Sequence, residues 1–261
     1  MRYIRIFAEQ CKLSVMSAAM YRTNFWLMLI QSCVNAAMGI LCVEFIYGSV
    51  THIAGWGKHE MLVLVCTAMV INQIYRNFIH WNQNRFIAAV GSGGFDKMLL
   101  RPLGLMFQVN TGRVDISGVI SASAPFTVLI MQTIASGARV TPAGVALFLL
   151  LTLNGMLILA SFMLLLYASV FVFVKVDGID NIYYIVMGIA EKPREMFSRG
   201  FFYAFLFFIP AMPIANAPTS ALLGRADPVL LIVSACIGPV FAAAAYAAVR
   251  LGLRRYASAS G

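Results

Sequence analysis

Residues 25–47 carry a single charged side chain, Glu44, in 23 positions. As a helix, such a run extends about 34 Å at 1.5 Å per residue, enough to cross a hydrocarbon core of about 30 Å. Comparable runs recur at 61–79, 116–135, 142–174 and 228–249. A soluble core has no room for five of them. Of the 261 residues, 61% are hydrophobic and 11% charged, against about 25% charged in an ordinary globular domain. The apolar surplus must therefore face lipid. The length suits five to seven crossings and leaves no space for a separate catalytic domain of about 100 residues. The chain is expected to be an all-α polytopic membrane protein with one transmembrane domain over 1–261.

The connections refine this. Residues 3–20 place Ile4, Phe7, Ala8, Cys11 and Val15 on one helical side and Arg2, Arg5, Glu9 and Lys12 elsewhere, which predicts a helix lying in the interface. The opening is charged and lacks a small-residue cleavage site, so a mature, cytoplasmic start is expected. A short loop at 52–58 separates the first two spans, with Trp81 placed as an interfacial aromatic. Residues 82–115 are polar, basic and broken by glycine, and are read as the main aqueous segment. The run at 179–190 is too short to cross alone, and 191–199 is charged. Residues 201–214 are aromatic-rich and supply the fifth span, then Pro210, Pro213 and Pro218 interrupt the helix. Irregular backbone at membrane depth needs protein or a water-filled cavity around it, so a re-entrant segment is expected between spans five and six.

With six alternating spans and the N-terminus inside, 16 of the 19 Lys and Arg residues fall inside, leaving Lys58, Arg139 and Arg225 outside. The positive-inside rule then accounts for the net charge of +9, and nucleic-acid binding loses its support. Both termini are expected in the cytoplasm and the protein in the cell (inner) membrane.

Few residues offer chemistry. Gly91–Lys97 reads GSGGFDK, but a phosphate loop needs Gly directly before the Lys, Ser or Thr after it and a strand in front; here Asp96 and Met98 flank Lys97. The glycines instead allow a short helix over 95–100 to stand out, with Phe95, Met98 and Leu99 as an apolar knob while Asp96 and Lys97 stay wet. Glu44 is the one acidic residue well inside a predicted span; it either lines a path or reaches the headgroups. Gln31, Asn35, Asn72, Gln73, Gln132 and Asn154 are mid-span amides, suited to interhelical hydrogen bonds or to a path lining. Ser234, Gly238 and Ala242 form a small-residue stripe that permits close packing. The scattered cysteines and the three histidines (His52, His59, His80) form no metal or catalytic motif.

Three stretches carry a family resemblance: Gly94-Phe95-Asp96-Lys97-Met98-Leu99-Leu100-Arg101-Pro102-Leu103; the segment 191–224 with Pro193, Ile209-Pro210, Ala217-Pro218 and Leu222-Leu223-Gly224; and the tail Arg254-Arg255-Tyr256-Ala257-Ser258-Ala259-Ser260-Gly261. In order and spacing these resemble the six-helix membrane subunits of ABC-2 type exporters. The resemblance implies an N-terminal interfacial helix, a cytoplasmic coupling helix after span two and re-entrant helices before span six. It also implies a homodimer or heterodimer of permeases in the bilayer with separate ABC ATPase subunits docked below. ATP and Mg would be bound by the partner, with no cofactor or metal on this chain. Phe95, Asp96, Met98, Leu99, Leu100 and Arg101 then form the ATPase-coupling segment, and Gln31, Asn35, Glu44, Asn72, Phe205 and Phe208 are the candidates for the path of an amphiphilic substrate. An intramembrane lipid-modifying enzyme, needing paired ionisable residues at one depth, and a nucleotide-independent channel or transporter, for which inverted repeats are the expected mark, are the alternatives.

Overall fold

The computed structural model describes residues 2–20, 22–115, 117–171, 178–225 and 227–256; Lys175 and the tail motif from Ala257 onward lie outside them. Helix α1 (Arg2–Met20) has no buried residue, as an interfacial helix requires. Helix α2 (Arg22–Tyr47) is apolar on every side and leads to a hairpin of β1 (His52–Ile53) and β2 (Trp56–Gly57), turning through Ala54 and Gly55 with positive φ. Helix α3 (Lys58–Tyr75) follows, passes through one π turn (Arg76–His80) and continues as α4 (Trp81–Gly91).

This 34-residue element, Lys58–Gly91, corrects the reading of 82–115 as wholly aqueous. The polar residues after 81 continue a helix because they are satisfied inside the protein. The Asn82 amide nitrogen donates to the carbonyls of Phe78 (2.8 Å) and Arg113 (2.7 Å), and its oxygen accepts from the Arg113 N–H. The Gln83 amide nitrogen donates to Asn110 (3.0 Å) and to the Ala160 carbonyl (2.9 Å), while its oxygen accepts from the Tyr75 hydroxyl. A buried polar group costs little once its partners are present.

After the turn at 92–94 come α5 (Phe95–Leu99) and α6 (Leu105–Thr111), then α7 (Ser117–Ala135) and α8 (Pro142–Tyr167). Thr141 caps α8, its hydroxyl accepting from the Gly144 N–H at 3.0 Å, with Pro142 at the first helical position. A 3₁₀ turn (Ala168–Phe171) closes it. The remaining helices are α9 (Ile179–Ala190), α10 (Arg199–Phe207), α11 (Met212–Leu222) and α12 (Pro228–Arg255).

Helix α8 is the centre of packing. On one side it meets α12, where the Asn154 amide donates to the Ser234 carbonyl at 2.6 Å and a Cβ on Gly238 would strike Asn154. The Ser234–Gly238–Ala242 stripe therefore serves packing within the chain at Gly238. On another side α8 meets α11, whose eleven residues are all buried. A Cβ at Gly155 would lie 2.5 Å from the Ile214 carbonyl oxygen, so the close approach of these two backbones requires glycine.

The fifth crossing is where the structure differs most from expectation. Helix α8 ends with Phe171 beside Phe95 and Tyr256, at the end of the molecule that holds α5. Arg194 pairs with Asp227, which caps α12, and Glu195 accepts from the indole N–H of Trp56 in the hairpin. The chain thus passes from the α5 end into the hairpin half through α9, about 18 Å long at 1.5 Å per residue. Helices α10 and α11, bent by 103° to each other, enter and leave at the hairpin end, since Arg225 after α11 pairs with Glu60 at 2.7 Å. They fit the expected re-entrant segment, with 201–214 entering and leaving at one end, while the chain changes ends over α9, which is itself shorter than a full crossing. Lys192, Arg194 and Arg199 consequently join the hairpin half, taking three out of the 16 expected at the other end.

Candidate translocation cleft and coupling surface

At mid-depth, α2, α3, the π turn, α7 and the residue after α9 enclose a cleft of about 180 Å³ lined by Ser32, Asn35, Asn72, Gln73, Arg76 and Glu191, with Met69 and Pro125 as apolar walls. The helices set its polarity in layers. Gln73 donates to the Ser32 hydroxyl (2.7 Å), which donates to the Ser121 carbonyl (2.8 Å), tying α3, α2 and α7 together. Asn72 accepts from the Tyr183 hydroxyl, joining α3 to α9. Tyr183 is itself stacked on His80 and packed against Tyr75, so the π turn and α9 share one aromatic contact. Asn35, Arg76 and Glu191 have no hydrogen bond or ion pair from their side chains among the described residues. A carboxylate and a guanidinium at membrane depth without partners demand water, substrate or another chain in front of them.

Of the residues singled out in the sequence as path candidates, Asn35 and Asn72 both line this cleft. Gln31 is exposed on α2 and does not line the cleft. Glu44 does not line this cleft; it stands in an exposed ion pair with Lys58 at 3.1 Å beside the hairpin. Phe205 and Phe208 belong to the re-entrant segment: Phe205 stacks with Phe201 and meets Phe197 edge-on, and Phe208 is 80% exposed. Glu191, Arg76, Ser32 and Gln73 complete the cleft. Glu191 lay in a stretch read from the sequence only as charged, and only the short length of α9 would have placed it at depth.

At the opposite end, α5 begins at Phe95 as expected but presents a different face. Phe95 is fully buried, with ring centroids of Tyr256 at 5.0 Å, Phe86 at 5.6 Å and Phe171 at 5.8 Å. It is an anchor and not part of the exposed knob, because a helix this short gains most by turning its one aromatic ring into the space between the ends of α4, α8 and α12. Met98 is half-buried, Lys97 and Arg101 are exposed, and the free apolar surface is Leu99 (47% exposed) and Leu100 (85%). The Gln108 amide nitrogen donates to the carbonyl of Met98 in α5 (3.0 Å) and to that of Leu103 in the segment after it (2.9 Å). Helix α1 reaches the same unit: Tyr3 packs on Phe107 at 4.9 Å and Gln10 donates to the Gly112 carbonyl. The stretch Gly91–Lys97 is a helix-to-helix turn, without the strand a phosphate loop needs.

The sequence model described as ABC-2 family transporter protein matches residues 33–260. No curated protein and no solved structure matches the chain.

Proposed function

The chain belongs to the ABC-2 transporter family and is a permease subunit of an ABC transporter, and we propose that it exports an amphiphilic substrate through the cleft between α2, α3, α7 and α9. The observation that carries this reading is the unpartnered polar set Asn35, Arg76 and Glu191 at membrane depth. Family membership brings partnership with ABC ATPase subunits and dimerisation in general; the second permease is a copy of this chain or a relative of it, and its apposition would shield the cleft from lipid.

In this reading ATP and Mg are held by the ATPases, which dock on Leu99, Leu100 and Arg101. Closure of the ATPases displaces α5. Phe95 passes that displacement to the ends of α4, α8 and α12, and α1 moves with them through Tyr3 and Gln10. At the far end, opening requires release of Arg225 from Glu60 and of Trp56 from Glu195. The two arrangements interconvert as a population shift, each favoured by a different nucleotide state. The α5 end, richer in Lys and Arg, faces the cytoplasm and the protein resides in the inner membrane.

Replacing Leu99 and Leu100 with Asp tests the docking face. Co-purification of the ATPase and substrate-stimulated hydrolysis are expected to be lost while the permease remains folded. Retention of both would refute the coupling assignment.

A further inference from the structure

A second cavity lies on the other side of the molecule. Helix α6 has seven residues, about 10 Å of helix, and covers only the end of the α8–α12 face, where Val109 is buried with Leu164 and Ala245. Beyond it that face is bare. A groove of about 450 Å³ opens there, floored by the small residues Ala160, Ser161 and Ala242 and walled by Ile79 and Leu157. Its lining on α8 runs from Leu153 to Leu164, about 16 Å at 1.5 Å per residue. That length is close to one leaflet of a hydrocarbon core about 30 Å thick. Tyr246 closes the groove toward the α5 end, and the Arg250 guanidinium lies 5.1 Å from its ring. Arg254, one turn further along α12, is exposed like Arg250, and residues four apart share a helix face.

We infer that this groove is a binding site for one anionic phospholipid, an acyl chain lying along α8 and α12 and the phosphate held by Arg250 and Arg254. Three observations commit the occupant. The cavity is lined mainly by apolar side chains, with Asn110, Ser161 and the Tyr246 hydroxyl the polar exceptions, so it suits an acyl chain better than a polar solute. Its extent is that of a single leaflet. The two charged residues that follow Tyr246 on the same face of α12, Arg250 and Arg254, are both basic and sit where the headgroup of that leaflet lies, as in basic pockets at the ends of transmembrane helices. Tyr246 suits the boundary between the two, with an apolar body beside a polar tip. The site stands on residues outside the translocation cleft and does not depend on that reading.

The full-length chain, purified and delipidated, is incubated with vesicles containing equal phosphatidylglycerol and phosphatidylcholine, and retained lipid is counted by native mass spectrometry. One phosphatidylglycerol per chain is expected, favoured at least tenfold over phosphatidylcholine. Ala242→Phe, which fills the floor, is expected to abolish retention. The double variant Arg250→Ala/Arg254→Ala is expected to bring the two lipids to parity, and Arg250→Lys/Arg254→Lys to keep the preference. Glu191→Gln is expected to leave retention unchanged. Equal retention of both lipids by the wild type, or undiminished retention by Ala242→Phe, would overturn the site. Conversion of a dimer to monomers by Ala242→Phe with lipid still bound would assign the groove to a second copy and overturn it as well.

Discussion

Glu191 and Phe95 show how single residues divide labour here. Glu191 follows α9 and faces a cleft whose other charged member is Arg76. Since no ion pair depends on it among the described residues, Glu191→Gln is expected to spare folding and assembly while lowering transport at least tenfold, measured as substrate efflux at matched expression. Phe95 is the opposite case. Its ring fills a space between three helix ends, so Phe95→Ala is expected to cost about 3 kcal/mol, in the range for buried aromatic truncations, and to lower the thermal midpoint in detergent. Leu99→Ala, on the exposed side of the same turn, is expected to stay within about 0.5 kcal/mol and to weaken only ATPase binding. A five-residue helix has too few positions for its periodicity to say which side faces inward, so the sequence could place α5 but not orient it. Glu191 was illegible for a different reason. Its neighbours Lys192, Arg194 and Glu195 made the stretch read only as charged, and only Asn216, which holds the carbonyls of Ala190 (3.3 Å) and Lys192 (3.0 Å), draws that backbone into the protein.

At the scale of elements, the hairpin, the α9–α10 connection and the α11–α12 turn are fastened to one another. Arg225 reaches both Glu60 (2.7 Å) and the Gly55 carbonyl (3.2 Å), and Arg194 bridges Glu195 and Asp227. Asp227 does two jobs, since its other oxygen accepts from the Val229 N–H at 2.9 Å and caps α12. The hydrogen bond from Arg194 holds its carboxyl below the usual carboxylate value. A depressed value means the stabilisation is complete at neutral pH and is lost as pH falls through that value. Thermal midpoints followed from pH 7 to pH 3 are therefore expected to fall more steeply in the wild type than in Asp227→Asn. At pH 7, Asp227→Asn keeps a capping oxygen and loses only an exposed ion pair, about 0.5 kcal/mol; Asp227→Ala loses the cap too, about 1 kcal/mol more. A slope in Asp227→Asn equal to the wild type's would remove the carboxylate from this account. The re-entrant turn these contacts enclose was readable in advance at Pro210, which falls in the break between α10 and α11, whereas Pro213 and Pro218, expected to interrupt the helix, lie within α11, Pro213 in its first turn and Pro218 in its interior. The fasteners were not, since they join residues as far apart as Gly55 and Arg225.

For the whole molecule the decisive matter is which segment makes the fifth crossing. Hydropathy favours 201–214, and that choice gave the larger charge asymmetry, 16 of 19; in the structure the chain changes ends over α9, which moves three of those 16 to the hairpin half and leaves at most 13. The smaller figure is still a clear bias, so charge counting cannot distinguish the two topologies. Packing does, because α10 and α11 are anchored at the hairpin end on both sides of their bend. The consequence is measurable with single cysteines introduced after the five native ones are replaced. Thr51→Cys marks the hairpin, Ser92→Cys the turn before α5 and Ser198→Cys the start of α10; all three positions are exposed. A membrane-impermeant maleimide applied to sealed vesicles of one orientation is expected to label Ser198→Cys together with Thr51→Cys, and Ser92→Cys only after the bilayer is permeabilised. If 201–214 crossed the membrane, Ser198→Cys would instead follow Ser92→Cys. That outcome would return Lys192, Arg194 and Arg199 to the α5 side and would also take Glu191 out of the cleft, so one labelling pattern tests the topology and the placement of the proposed path together.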